Sequence, residues 1–134
     1  MKDIFKEGDT KTYSRKVTEA DTAVFDTGEV HPVYATFALG RDAEWACRQF
    51  VLEMKEAHEE GIGTFLTVNH HSPAMLGSQI DFKAKVENIN GHEIICSYEA
   101  RVGERLIASG KTGQKVLPKT KIESLFSSIK EKAG

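Results

Sequence analysis

Residues 41–54 read Arg41-Asp42-Ala43-Glu44-Trp45-Ala46-Cys47-Arg48-Gln49-Phe50-Val51-Leu52-Glu53-Met54, and their periodicity decides the fold. Ala43, Ala46, Cys47, Phe50, Val51, Met54 and Ala57 fall on one stripe at 3.6-residue spacing, the mark of an amphipathic helix. The pattern predicts a helix from Arg41 to about Glu60, stopped by Gly61 in the position of a C-terminal glycine. Trp45 and Leu52 add apolar surface on the opposite side, so the helix is expected to be largely enclosed rather than laid on a surface.

Downstream of this helix the chain reads as sheet. Residues 62–71 make one strand. In the next, Ile80, Phe82, Ala84 and Val86 alternate strictly with Gln79, Asp81, Lys83, Lys85 and Glu87, as a half-buried strand requires. Asn90-Gly91 supplies a tight turn, and Ile94, Cys96, Tyr98, Ala100 and Val102 then share a face. Gly103-Glu104 turns the chain again into a strand over 105–117, ended by Pro118. A short amphipathic helix from Ile122 to Ile129 follows. Upstream, residues 11–18 read as a first strand, and Thr18-Glu19-Ala20-Asp21 as a capping box opening a short helix through Phe25. The order is strand, long helix, antiparallel meander. It predicts an α+β hotdog fold in which one antiparallel sheet curls around the long helix, with short N- and C-terminal helices. Residues 1–134 are expected to form a single domain, and its free sheet edge predicts a homodimer or a dimer of dimers.

At 134 residues, 40% apolar and 28% charged, the composition is that of an ordinary globular protein. A net charge of −2 with interspersed signs offers no basic field for nucleic acid and no polybasic membrane patch. No apolar run is long enough to span a bilayer, and the first residues lack a signal-peptide core. Cys47 and Cys96 form no CxxC pattern and read as buried small hydrophobes in a reducing cytoplasm.

Three polar residues stand among these apolar elements: Thr36 just before the helix, Glu44 within it and His70 at the end of the 62–71 strand. A hydroxyl, a carboxylate and an imidazole on converging elements are the parts of an acyl-transfer or hydrolysis site. Strand parity puts Ile62, Thr64, Leu66, Val68 and His70 on the helix-facing side and turns His71 away. Plainer roles are open for each: an ion pair with Arg48 for Glu44, a cap for Thr36, a rim position for His70. No HExxH, CxxC or carboxylate cluster points to a metal.

The stretch Ala35-Thr36, Glu44-Trp45-Ala46-Cys47, Gly63-Thr64, Val68-Asn69-His70, Pro73 and Gly77 resembles the fluoroacetyl-CoA thioesterase-like branch of the hotdog thioesterases over roughly residues 30–117. Eight residues separate Thr36 from Glu44 and twenty-six separate Glu44 from His70, as in that branch. The resemblance implies hydrolysis of a short or medium acyl-CoA, with CoA only as part of the substrate and no other cofactor. Catalysis would fall to Thr36, Glu44 and His70 at a dimer interface, and substrate binding to Gly63 and the position of Gln114. The chain departs from the branch at Thr112-Gly113-Gln114, where a His-Glu-Arg run is usual, and at Arg41-Asp42, where the helix usually opens on apolar residues. Phe25 alone represents the phenylalanine-rich lid, so fluoroacetyl specificity is not carried over. Two rival readings stand beside this one. Asp26 and His31 are five apart, like the dyad of (R)-specific enoyl-CoA hydratases, but the intervening Asn-Pro is missing. The other rival is a non-catalytic acyl-CoA-binding module.

Overall fold

The computed structural model describes residues 1–24 and 30–133. Strand β1 (Thr10–Lys16) leads through a three-residue 3-10 turn (Glu19–Asp21) to β2 (Thr22–Val24) and β3 (Val30–Tyr34), which pair as a hairpin. The helix α1 (Thr36–Met54) follows, then β4 (Glu59–Leu66), β5 (Asn69–His70), β6 (Gln79–Asn90), β7 (Glu93–Val102), β8 (Arg105–Pro118) and the helix α2 (Lys119–Ala133). The main sheet is antiparallel in the order β1-β6-β7-β8-β4, with β5 also on β8. It wraps α1, so the fold is the expected hotdog arrangement.

The core lies between the concave sheet and α1. Ala43, Ala46, Cys47, Phe50, Val51 and Met54 of the expected stripe are buried, against Ile80, Phe82, Ala84, Val86, Ile94, Tyr98 and Ala100 of β6 and β7. Cys47 and Cys96 meet inside this core as free thiols, and the contact with Cys47, then burial, push the Cys96 thiol well up. The turns between β6, β7 and β8 hold Gly91 and Gly103 at φ 62° and 58°, the left-handed region that favours glycine.

Several expectations are corrected. The helix begins five residues earlier than expected, at Thr36, and ends at Met54 with Lys55 already extended. Ala57 therefore lies beyond it, exposed. Gly61 is no helix terminator: it sits in β4, where a Cβ would stand 2.6 Å from Val51 Cγ1, so the missing side chain lets strand and helix approach. Nor is α1 enclosed on all sides, because Phe37, Trp45 and Leu52 are exposed along its outer face. The N-terminal helix shrinks to the 3-10 turn, with β2 in its place from Thr22; Phe25 lies outside the described residues. The C-terminal helix extends further in both directions than Ile122 to Ile129.

Because Val51 is a fully buried β-branched side chain, stiff at χ1, Gly61→Ala is expected to cost about 1–3 kcal/mol, the usual penalty for overpacking. Urea denaturation checks this, and an unchanged midpoint would show that β4 and α1 leave room for a methyl group at Gly61.

Candidate active site

Thr36 is the first residue of α1. The N-cap residue is Ala35, which has no side chain to cap with, and Thr36 is not spent on capping either. Its Oγ1 lies 2.8 Å from Nε2 of His70. Two residues singled out separately, 34 apart in sequence, thus share a hydrogen bond; which atom donates depends on the imidazole tautomer. Around them is a cleft of about 410 Å³ lined by Ala23, Val33, Tyr34, Ala35, His71, Ser72 and Pro73 besides the pair itself. Parity places His70 correctly: Leu66 and Val68 of the same segment lie against Gly40 of α1, while His71 turns to Ser109, with Nε2 2.8 Å from its Oγ.

Parity fails further upstream. The β4–β8 register shifts between Gly63 and Phe65, so Thr64 is the extra residue of a bulge. Before it the helix-facing positions are Gly61 and Gly63 rather than Ile62 and Thr64, since Cβ atoms there would meet Val51 and Glu44. A Cβ on Gly63 would stand 3.1 Å from Glu44 Oε1. The glycine thus lets the strand backbone and the Glu44 carboxylate come close together. Glu44, Gly63, Thr64, Phe65 and Leu66 line one open cleft.

The ion pair expected of Glu44 is not formed. Arg48 turns instead to Glu60 Oε1 at 2.9 Å and donates to the Gly61 carbonyl and to Gln114 Oε1, each at 3.3 Å. Among the described residues Glu44 keeps no hydrogen-bond or ion-pair partner, and its carboxylate is half-buried against Gly63. Gln114 is fully buried beneath α1, its amide oxygen engaged by Arg48 rather than turned to a cleft. Asp26, half of the hydratase-like dyad, lies outside the described residues. Among the described residues no group of three or more His, Cys, Asp or Glu side chains is arranged to hold a metal ion.

Within one chain the two halves of the constellation are separate. Thr36 and Glu44 are eight residues apart on one helix, about 12 Å along its axis, with His70 at the Thr36 end and Gly63 at the Glu44 end.

A cluster that the sequence reading missed holds the Thr36 end in place. Arg15 Nη2 contacts both Asp21 oxygens at 2.8 and 2.7 Å, and Arg41 Nη2 reaches Asp21 Oδ1 at 2.8 Å. Arg15 Nε and Arg41 Nε approach Asp42 at 3.0 Å, and the Tyr34 hydroxyl donates to Asp42 Oδ2. Burial, then the hydrogen bond to Asp42, push the Tyr34 phenol well above its ordinary range, so it remains a donor. The Asp21 carbonyl accepts from the Ala35 amide, one residue before Thr36. Spacing gave half a hint: the Asp21 carboxylate accepts from the Thr18 amide at 2.9 Å, as a capping box would have it.

The sheet curled around a central helix is the hotdog fold, and comparison with known proteins makes the chain a hotdog-fold thioester hydrolase. Residues 17–120 match the family model described as fluoroacetyl-CoA-specific thioesterase (FlK), and the chain belongs to that family. A Thermus thermophilus hypothetical protein, a thioesterase superfamily member, is 36% identical over 95% of this chain and 94% of its own, with a TM-score of 0.89. The fluoroacetyl-CoA thioesterase FlK itself is 22% identical over 94% of this chain and 98% of its own, with a TM-score of 0.85. A mutant of that enzyme in complex with fluoroacetate and CoA superposes with a TM-score of 0.81, at 22% identity over 88% and 99% of the two chains. A search of curated protein sequences finds no significant match.

Proposed function

We propose that the protein hydrolyses short or medium acyl-CoA thioesters to the free acid and CoA, at a site built from Thr36, Glu44 and His70 across a homodimer interface. The observation that carries this is the 2.8 Å contact between Thr36 and His70 in an open cleft. The unpartnered Glu44 carboxylate against Gly63 supplies the remaining group. Glu44 takes the proton from a water molecule as its oxygen adds to the thioester carbonyl. His70, oriented by Thr36, polarises that carbonyl and gives a proton to the departing CoA sulfur. The C–O bond forms first, the tetrahedral adduct then collapses with cleavage of the C–S bond, and the proton held by Glu44 returns to His70 through solvent, so that water is the sole co-reactant. CoA enters only as part of the substrate.

The 12 Å separation along α1 is the reason for invoking a second copy. The Thr36–His70 pair of one protomer would face Glu44 and Gly63 of its partner. The exposed Trp45 of α1 and the exposed Phe65 and Leu66 of edge strand β4 flank Glu44 and Gly63, and Phe37 is exposed at the Thr36 end of the same helix. An edge strand with apolar neighbours is the kind of surface that a partner covers. Two buried free cysteines fit a reducing compartment, and we place the enzyme in the cytoplasm.

A free-thiol assay over acetyl-, butyryl-, hexanoyl- and octanoyl-CoA tests the reading. At least one is expected to turn over with kcat/KM of about 10⁴ M⁻¹s⁻¹ or more, the lower end of ordinary enzymes. Crotonyl-CoA losing its enoyl absorbance without thiol release would point to a hydratase, and tight binding without turnover to a binding module.

A further inference from the structure

The C-terminal helix α2 carries an apolar stripe that its own domain leaves bare. Leu125, Phe126 and Ile129 are 49%, 53% and 55% exposed, and with the half-buried Ile122 they recur at three- and four-residue intervals. At 100° per residue these four side chains span about 100° of the helix surface. The lysines are not scattered around the remainder. Lys119 and Lys130 border one edge of the stripe, with Glu123 just outside them, and Lys121 and Lys132 border the other, while Thr120, Ser124, Ser127, Ser128 and Glu131 occupy the back. Four lysines against two glutamates make the helix cationic in a chain whose net charge is −2.

Apolar side chains in the middle with lysines on both borders match a helix lying in the plane of a bilayer surface. The stripe enters the headgroup–acyl boundary, and the lysine stems run along it with their ammonium groups at the phosphates. A second copy of the same helix fits less well, because pairing the two stripes brings lysine-rich borders together in either orientation, with Glu123 the one acidic side chain near them. No helix among the described residues is long and apolar enough to cross a membrane, which leaves a surface-lying helix open. We propose that α2 docks the protein reversibly on an anionic lipid surface.

The test is co-sedimentation of the whole protein with phosphatidylcholine vesicles, with and without phosphatidylglycerol. The anionic vesicles are expected to bind at least about tenfold more tightly, with the gain lost as ionic strength rises. Phe126→Glu with Ile129→Glu should abolish binding while thiol release from a soluble acyl-CoA is retained. Lys121→Gln with Lys130→Gln, a milder change, should weaken binding to the anionic vesicles only. Equal binding to both vesicle types, or none, overturns the proposal. So does a double-glutamate variant that binds vesicles like the parent, or one whose only change is a smaller assembly in sedimentation velocity, which would show that a second copy covers the stripe.

Discussion

Glu44→Gln is expected to lower kcat for the best acyl-CoA by about 10²–10⁴-fold with little change in KM, the range for losing a positioned general base. The amide matches the carboxylate in shape, so the contact with Gly63 survives and only the ability to accept a proton is removed. Stability should be nearly unchanged, since no hydrogen bond or ion pair to Glu44 is broken among the described residues. His70→Ala should match Glu44→Gln in severity. Thr36→Ala should cost about tenfold, because the hydroxyl orients His70 through one hydrogen bond. Stopped-time thiol assays on folded variants decide the matter. Wild-type rates in both Glu44→Gln and His70→Ala would remove the chemistry from this site. A 10²-fold loss in His70→Ala alone would leave the Thr36–His70 cleft as the site and exclude Glu44. Mixed dimers sharpen the test: one protomer carrying Glu44→Gln and its partner His70→Ala should retain one intact site of two if the groups act across the interface.

How much of this was legible follows from which signals are local. The α1 stripe from Ala43 to Met54 and the alternation of β6 arise from burial on one face, which periodicity reports directly. The ends of α1 were misplaced for tertiary reasons. Gly40 looks like a helix breaker, yet its bare Cα faces Leu66 of β4, where a Cβ would be 3.0 Å from Cδ2. Ala57 continues the stripe by chance while the chain has already turned. The bulge at Thr64 hid the Glu44–Gly63 approach from a parity argument, because one extra residue exchanges the two faces of a strand. His70 still lies on the expected side, because Leu66, Val68 and His70 all follow the bulge and keep one face among themselves, while Ile62 and Thr64 do not share it. The meeting of Thr36 with His70 is a long-range contact, which residue types and spacing could suggest but only the fold could make.

Asp21→Asn is expected to destabilise the protein by about 3 kcal/mol at neutral pH, toward the lower end for breaking a buried ion pair because Arg15 and Arg41 reach solvent. Asp21 is only 1% exposed, yet it accepts from both arginines and from the Thr18 amide and hydroxyl. Burial pushes its carboxyl upward, but the hydrogen bonds from Arg15, Arg41 and Thr18 outweigh it and hold the group well below the usual carboxylate range. A group depressed in the folded state contributes its stability above the unfolded value, here 3.8, and loses it as the pH falls below that point. Wild-type Tm should therefore exceed that of Asp21→Asn by about 10 °C at pH 7, with the gap closing as the medium is acidified below about pH 4. A gap that stayed constant between pH 7 and 3 would mean that packing, not charge, is responsible. The same substitution should also slow thiol release with KM affected more than kcat, because Ala23, Val33 and Tyr34, which line the cleft, are anchored on either side of this cluster. Asp42 is close to equivalent in its contacts: it is nearly as buried, shares Arg15 and Arg41, and takes the Tyr34 hydroxyl in place of Thr18. Asp42→Asn should thus reproduce the stability loss, and the double variant should lose less than the sum, since two carboxylates that share the same pair of guanidinium groups are energetically coupled.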